Sequence, residues 1–499
     1  MSDDIAPASR DVGSDAEQLR ALGYTAKFDR TMSFWQNFAL GFTYLSPVVG
    51  VYSIFAFGLA TGGPPMVWAY LIAGVGQMLV CLIFGEVVSQ FPIAGGVYPW
   101  GRRLVGKKWA WIVGWIYGWA LFTSIAGSAV GAGPFLTALL GIESSPFVNA
   151  GTALVLVLIA TLLNLAGTKL LARAAMFGFI CELIGAIYVG THVLLFHRYH
   201  PLRIIFDTFG ASHGSSYLPA FLAASLVGAF TCYGFEACGD VAEETENADV
   251  AIPRSMRLTI YVGVGASVFI AVALLLAIPD IPAVISGNDT NPLITVLRSA
   301  FGPMGSRLVV AVVMVAFLSC LLSMQAAVSR LIYAYARDEM IICSGVLERL
   351  SPHTHVPTAA LIVAGIVPAT IVCLGYFMEN AVMTIVGFAT GGIYIAFQMI
   401  VGAALFARLR GWKPHGRFTL GTWGYAVNIA ALVYGVSVIL NLLWPRVDSD
   451  LWYMHYSMIL TAAFVVICGL ICMIIGRPYD KGLSRAGDAW HLSPAKEAS

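Results

Sequence analysis

Two stretches and one lone carboxylate hold the residue types that could do chemistry in an otherwise apolar chain. The first stretch is Tyr44-Leu45-Ser46-Pro47-Val48-Val49-Gly50, in the middle of an uncharged run over residues 34–60. Pro47 has no amide hydrogen and its ring clashes with the preceding turn, and Gly50 adds backbone freedom. The spacing predicts two half-helices, about 34–45 and 50–60, joined by a few unwound residues. Unpaired backbone groups are tolerated inside a bilayer only where they line a cavity or meet a partner. A broken helix at membrane depth is therefore a binding-site candidate, with an ordinary proline kink as the alternative. The second stretch is Phe230-Thr231-Cys232-Tyr233-Gly234-Phe235-Glu236, where a glycine among polar and aromatic residues, then a carboxylate, interrupts another apolar run. The lone carboxylate is Glu182, within Phe179-Ile180-Cys181-Glu182-Leu183-Ile184-Gly185. An acid inside a membrane is expensive and reads as functional by default.

These pieces predict one kind of chemistry. Open amides at the start of the half-helix after Pro47 would attract an anion through their N–H groups and the helix dipole, which suits a substrate carboxylate. Carbonyls ending the half-helices before each break suit an ammonium. An amino acid zwitterion satisfies both, which favours amino acids over sugars. The expected substrate-binding set is Ser46, Pro47, Val48, Val49 and Gly50 from the first break, with Thr231, Cys232, Tyr233, Gly234, Phe235 and Glu236 from the second. Glu182 and Glu236 are the expected proton-coupling groups, burial favouring their neutral forms. The bland readings are a structural carboxylate bonded to neighbouring helices for Glu182 and a helix cap facing a vestibule for Glu236. Tyr233 and Phe235 are either aromatic gates or packing residues.

The elements that must position these groups follow from composition. The chain has 499 residues, 59% hydrophobic and only 11% charged, against about 25% charged in ordinary soluble proteins. Its mean hydropathy is +0.81. The expected fold class is all-α integral membrane, with twelve spans read from apolar run length: about 34–60, 66–90, 109–140, 147–168, 174–196, 217–243, 256–278, 305–336, 357–375, 380–408, 421–443 and 453–476. A polar, mobile tail is expected over 1–31 and a second polar tail over 477–499. The loop over 279–304 is expected to hold a short surface helix. Of the 28 Lys and Arg residues, all but Arg198, Arg203, Arg298, Arg307 and Arg446 fall on one side if the N-terminus is inside. The positive-inside rule then puts both termini in the cytoplasm. No apolar leader follows the first residues, so no cleaved signal peptide is expected.

The second break opens the sixth span as the first break opens the first. Interruptions at matching places in two halves point to a transporter site, and an odd number of spans per half inverts the second half. The residues here resemble the amino acid–polyamine–organocation (APC) superfamily of permeases, most closely its amino acid/choline transporter branch. The resemblance is carried by Leu45-Ser46-Pro47-Val48-Val49-Gly50-Val51-Tyr52, by Ala60-Thr61-Gly62-Gly63-Pro64, and by Glu86-Val87-Val88-Ser89-Gln90-Phe91-Pro92-Ile93-Ala94-Gly95-Gly96-Val97-Tyr98. It continues in Tyr233-Gly234-Phe235-Glu236-Ala237, Glu243-Glu244-Thr245 and Ile252-Pro253-Arg254, and departs at Asn247-Ala248, where the family usually has Asn-Pro. It implies a LeuT-like core of five plus five inverted spans (32–196 and 217–408), two added helices over 421–476, alternating access, and substrate binding at both breaks. It also implies that Glu182 stands near the place where several relatives carry a Lys in lieu of a sodium ion. Helix 8 hydroxyls such as Ser319 and Ser323 bind sodium in some relatives; packing is the favoured reading of them here.

The remaining candidates read as structural. Glu86 is expected to pair with loop amides or an Arg. Thr123, Ser124 and Ser128 either line the cavity or pack. His192 and His455 lie near span ends, as do most of Trp109, Trp111, Trp115, Trp119, Trp444 and Trp452, which suits an interfacial belt. Asp280 and Asp289 are loop residues without an assigned role. The nine cysteines are scattered and read as small buried hydrophobes. No phosphate loop, H-E-x-x-H or G-x-S-x-G motif occurs, so no enzyme, ATP-driven pump, cofactor, metal or nucleic-acid partner is expected. The reading is a secondary transporter of the plasma membrane importing an amino acid or related amine with protons. Rivals are an exchanger, a choline, γ-aminobutyrate or polyamine carrier, and a transporter-like nutrient sensor.

Overall fold

The structure, a computed structural model, describes residues 12–211, 216–377, 381–446, 452 and 456–483. Apart from an isolated bridge, the regular structure among these residues is helical. Helix α1 (Val12–Ala21) precedes the bundle, and the first predicted span is the pair α2 (Phe34–Leu45) and α3 (Pro47–Gly62). Then come α4 (Val67–Gln90), the short α5 (Val97–Leu104), α6 (Lys107–Gly131) with its continuation α7 (Gly133–Leu140), α8 (Pro146–Leu165) and α9 (Thr168–Phe196). The sixth predicted span is in pieces: α10 (Tyr217–Ala224), α11 (Leu226–Thr231) and α12 (Ala237–Asp240). Beyond it lie α13 (Ala248–Leu276), α14 (Ile281–Ile285), α15 (Pro292–Arg337), α16 (Ser344–Leu347), α17 (Thr358–Tyr376), α18 (Ala381–Leu409), α19 (Gly424–Leu443), α20 (Ser457–Gly476) and α21 (Pro478–Lys481).

Among the described residues 11 spans are long and apolar enough to cross a membrane, and the sixth predicted span is outside that set because its longest apolar piece is Tyr217–Thr231. Burial ranks the spans. The segment Phe34–Gly62 has 94% of its most apolar window buried, against 11% for Ser457–Gly476. The interrupted first span is therefore the axis of the bundle, and the last helix is peripheral. Small residues let α3 approach α10 and α11 closely. A Cβ added at Gly58 would lie 2.4 Å from Val227 Cγ1, and one at Gly62 would lie 2.4 Å from the Ala224 Cβ.

Helix ends follow from local chemistry. Ser33 starts α2 with a capping box: its Oγ accepts from Gln36 N, and its own amide donates to Gln36 Oε1 at 2.9 Å. Asp280 caps α14 by accepting from Ala283 N at 3.0 Å. Pro253 lies inside α13 and offers no N–H to the carbonyl of Asp249, four residues before it. The Ser89 hydroxyl donates to that carbonyl instead, at 2.8 Å. Segment α15 is two helices joined at the non-helical Gly302, whose φ is 66°: a short helix from Pro292, within the loop expected to hold one, and the span itself from Pro303, close to the expected 305.

The N-terminal segment differs from the expected mobile tail. From residue 15 it packs onto the bundle, burying Leu19, Tyr24, Phe28 and Met32. Met32 exchanges backbone hydrogen bonds with the loop after α12, donating to Glu244 O at 3.0 Å and accepting from Glu246 N at 3.1 Å. The sequence hides this because single apolar residues are spread through a polar stretch without a helical period.

The same end of the bundle carries buried ion pairs. Arg330 of α15 makes a two-pronged contact with Glu244 at 2.8 and 2.9 Å, and Thr168 donates to that carboxylate at 2.5 Å. Arg337 pairs with Glu243 at 2.7 Å. Asp338 receives Arg102 at 2.5 Å, Tyr98 at 3.0 Å and Tyr24 at 3.1 Å. Burial, then the negative Asp338, pushes the Tyr24 phenol up to about 12, so it remains a donor. Glu86 meets both partners expected of it, Arg408 and the Leu420 amide at 2.6 Å.

A buried pair is strongly destabilised when one partner is left alone, by about 3–5 kcal/mol, whereas removing both is far milder. Arg330→Ala is therefore expected to lower the unfolding temperature of the purified protein sharply. The double change Arg330→Met with Glu244→Leu should recover most of the loss in the same thermal denaturation.

Candidate functional site

The first break is one residue long. Ser46 adopts φ 42° and ψ 89° and serves both helices. Its amide donates to Phe42 O at 2.7 Å, ending α2. Its hydroxyl oxygen accepts from Val49 N at 3.2 Å, starting α3. Pro47 fits at the first position of α3, where an amide hydrogen would have no helical partner. The expectation of several unwound residues over 46–50 is corrected: Pro47 to Gly50 form the first turn of α3.

The expectation of open amides there is corrected too. Glu182 reaches in from α9, and its Oε1 accepts from the Ser46 hydroxyl at 2.7 Å and from Val48 N at 2.9 Å. Val49 N is held by Ser46 Oγ, and Gly50 N donates to Ser46 O at 2.9 Å. Pro47 has no amide hydrogen to offer. Every N–H of this first turn is engaged within the protein.

The second break runs from the end of α11 at Thr231 to the start of α12 at Ala237. Thr231 turns its hydroxyl back to Val227 O at 2.8 Å. Gly234 has φ 116°, a conformation that L side chains rarely adopt. Its amide donates to Glu236 Oε2 at 2.9 Å. Each break thus carries a buried carboxylate bound to its backbone: Glu182 at the first, Glu236 at the second.

The two breaks lie against one another. A Cβ on Gly234 would fall 2.6 Å from Leu45 N, and one on Gly50 would fall 2.5 Å from Thr231 Cγ2. The rings of Tyr44 and Tyr233 meet edge to face at 6.1 Å. From α15, Cys320 points its thiol at Tyr44 O, 3.4 Å away. Phe235 turns away from Tyr233 and packs against Phe84 and Phe397, with ring centroids at 5.9 and 5.6 Å.

One residue of this cluster was not singled out from the sequence. Asp240 is fully buried at the end of α12. The Tyr117 hydroxyl, from α6, stands 3.1 Å from Asp240 Oδ2 and 3.3 Å from Glu236 Oε1, linking the two acids. The signal available was the i, i+4 spacing of Glu236 and Asp240, which puts two acids on one helical face. Asp240 Oδ1 and Glu182 Oε2 are buried with no hydrogen-bond partner. Among the described residues Glu182, Glu236 and Asp240 enter no ion pair.

The other candidates lie within the bundle or at its edges. Ser323 shares a hydrogen bond with Thr43 at 2.8 Å. Ser319 sits so close to Gly178 that a Cβ there would be 2.0 Å from its Oγ. Thr123 bonds back to its own helix at Trp119 O and Ala120 O, while Ser124 and Ser128 are buried. His192 stacks on Phe301 at 4.5 Å, and His455 lies outside the described residues. Trp444 and Trp452 are exposed as a membrane belt requires. Trp109, Trp111 and Trp115 instead donate to Met399 O, Met340 O and Val465 O, tying α6 to its neighbours.

Gly234 carries both a φ reserved for glycine and a close backbone neighbour. Gly234→Ala is expected to destabilise by about 2 kcal/mol or more, read as a fall in unfolding temperature. Gly210→Ala isolates the strain, since Gly210 has φ 77° but nothing within 4 Å of the added Cβ. It should cost clearly less.

A family model described as amino acid permease matches residues 32–473. Among individual proteins, the amino-acid permease BAT1 of Arabidopsis thaliana is 26% identical over 450 residues, covering 84% of this chain and 86% of its own length. Its homolog from Oryza sativa subsp. japonica is 27% identical over 455 residues, with the same coverage of 84% and 86%. Amino-acid permease 2 of Neurospora crassa is 25% identical over 501 residues, covering 95% of this chain and 90% of its own.

Proposed function

The chain belongs to the amino acid permease family, and on that premise we propose that it is a secondary active transporter importing an amino acid or a related amine, driven by the proton gradient and working by alternating access. In this reading the spans from α2 to α9 and from α10 to α18 are two five-span repeats of opposite orientation. With α19 and α20 they make a LeuT-like bundle of twelve helices. Both termini lie on the cytoplasmic side of the plasma membrane, the side holding most of the positive charge.

One observation carries the reading: the two interrupted helices touch at their interruptions, and a buried carboxylate sits on the backbone of each. A continuous helix needs no such arrangement. A carboxylate buried without a cation carries a large desolvation cost, so it holds a proton or awaits a cation. Glu236, with Asp240 beside it through Tyr117, is suited to a substrate ammonium. Glu182 is suited to the coupling proton, since the start of α3 rests on its oxygen. The substrate-lining residues are Ser46 to Gly50 and Thr231 to Glu236.

The test is uptake by sodium-free proteoliposomes over labelled amino acids, γ-aminobutyrate, choline and putrescine, with and without an inward proton gradient. The expected result is gradient-stimulated uptake of one compound, stronger at lower external pH. Glu182→Gln should abolish the stimulation and flatten the pH profile. If uptake and pH profile survive that change, Glu182 is structural. Uptake that requires preloaded substrate would make the protein an exchanger. Gly50→Leu drives a side chain into Thr231 and should weaken substrate binding at least about tenfold, roughly 1.4 kcal/mol. A C-terminal tag should become accessible to antibody only after cells are permeabilised.

A further inference from the structure

We infer that the preferred substrate is an amine bearing no carboxylate group, because the protein's own Glu182 fills the place that a substrate carboxylate would need. This rests on the reading above that substrate binds where the two breaks meet, and it names the substrate class of that site.

A zwitterionic amino acid needs an anion seat as well as a cation seat. The anion seat that a broken helix offers is the first turn of its second half. Here that turn is α3, and its donors are all engaged. Glu182 Oε1 takes Val48 N and the Ser46 hydroxyl, Ser46 itself takes Val49 N and Gly50 N, and Pro47 has none. The seat is filled by the side chain whether or not it carries a proton, so the exclusion is steric as well as electrostatic. An incoming carboxylate would also face the second oxygen of Glu182, which is buried and without a partner.

The other side of the meeting point carries two further acids. Glu236 and Asp240 are buried, share the Tyr117 hydroxyl, and lack an ion-pair partner. Asp240 Oδ1 has no hydrogen-bond partner at all. Arg330 of α15, whose charge acts on Asp240, is committed to Glu244 through two of its nitrogens. A site with three buried acids and the α3 amides already taken favours cations: each acid left unpaired is penalised by desolvation, and an ammonium relieves it. A carboxylate on the ligand adds a fourth negative group, and the α3 amides that would receive it are taken.

The experiment compares each amino acid with its own decarboxylation product, so that only the carboxylate differs. The pairs are ornithine with putrescine, lysine with cadaverine and arginine with agmatine. Binding to the purified full-length protein in nanodiscs is read by thermal shift and by competition against whichever compound binds most tightly. The expected result is that the amine of a pair binds at least tenfold more tightly than its amino acid, and that no pair shows the reverse. Glu182→Ala empties the seat and should close the gap at least tenfold by gaining affinity for the amino acid. Glu182→Gln keeps the seat filled and should not.

An amino acid binding wild-type protein as tightly as its amine, with binding lost in Gly50→Leu, would overturn the inference and leave the site standing. Absence of binding by every compound, or binding indifferent to Gly50→Leu, would overturn the site itself and the inference with it. If Glu182→Ala does not fold, the wild-type comparison decides alone.

Discussion

Every peptide N–H and C=O placed inside a bilayer must find a partner within the protein, and this molecule interrupts two helices there. The interruptions survive because each is closed by its own chemistry. Ser46 is one residue acting as the end of α2 and the start of α3, and Glu182 supplies the acceptor that Val48 would otherwise lack. At the second break Glu236 folds back onto the amide of Gly234. The two breaks then shield one another, with the Gly234 backbone seated directly against Leu45. The central position of the first span, the glycine face of α3 and the inward reach of α9 all follow from keeping those backbone groups satisfied.

Much of this was legible in the sequence. Apolar run length gave the order of the spans, Pro47 with Gly50 marked the first break, and Gly234 before Glu236 marked the second. Glu86 was readable as an ion-pair residue because an acid at the end of an apolar run needs a partner. Other features were not legible. The extent of the first break depends on Ser46 taking a left-handed conformation, which composition does not dictate for serine. The occupant of the α3 amides depends on α9 lying across Ser46, a contact 136 residues away in sequence. Asp240 escaped notice for a similar reason. Its i, i+4 spacing from Glu236 was in plain view, but the link between the two acids runs through Tyr117 on another helix.

The charged end of the bundle is arranged differently from the site. There the acids are paired: Glu243 with Arg337, Glu244 with Arg330, Asp338 with Arg102. The contrast separates two uses of buried charge. Paired groups fix the positions of α15, α5 and the loop after α12 relative to one another. Among the described residues the acids at the meeting of the breaks enter no ion pair and are held by backbone amides and hydroxyls instead. The N-terminal segment belongs to the first class, since Tyr24 shares Asp338 and Met32 is bonded to the Glu244 and Glu246 backbone.

A break of one residue also makes a mechanical element. Ser46 is the only non-helical residue between α2 and α3, so its two backbone dihedrals define a pivot. Helix α2 is then a lever arm, about 20 Å from Ser46 to Ser33 at 1.5 Å per residue. A tilt of about 10° at the pivot carries the far end through about 3 Å by that same geometry, the full length of the hydrogen bond that holds Met32 to Glu244. A small tilt where Glu182 grips the serine would thus be enough to part Met32 from Glu244 at the other end of the helix.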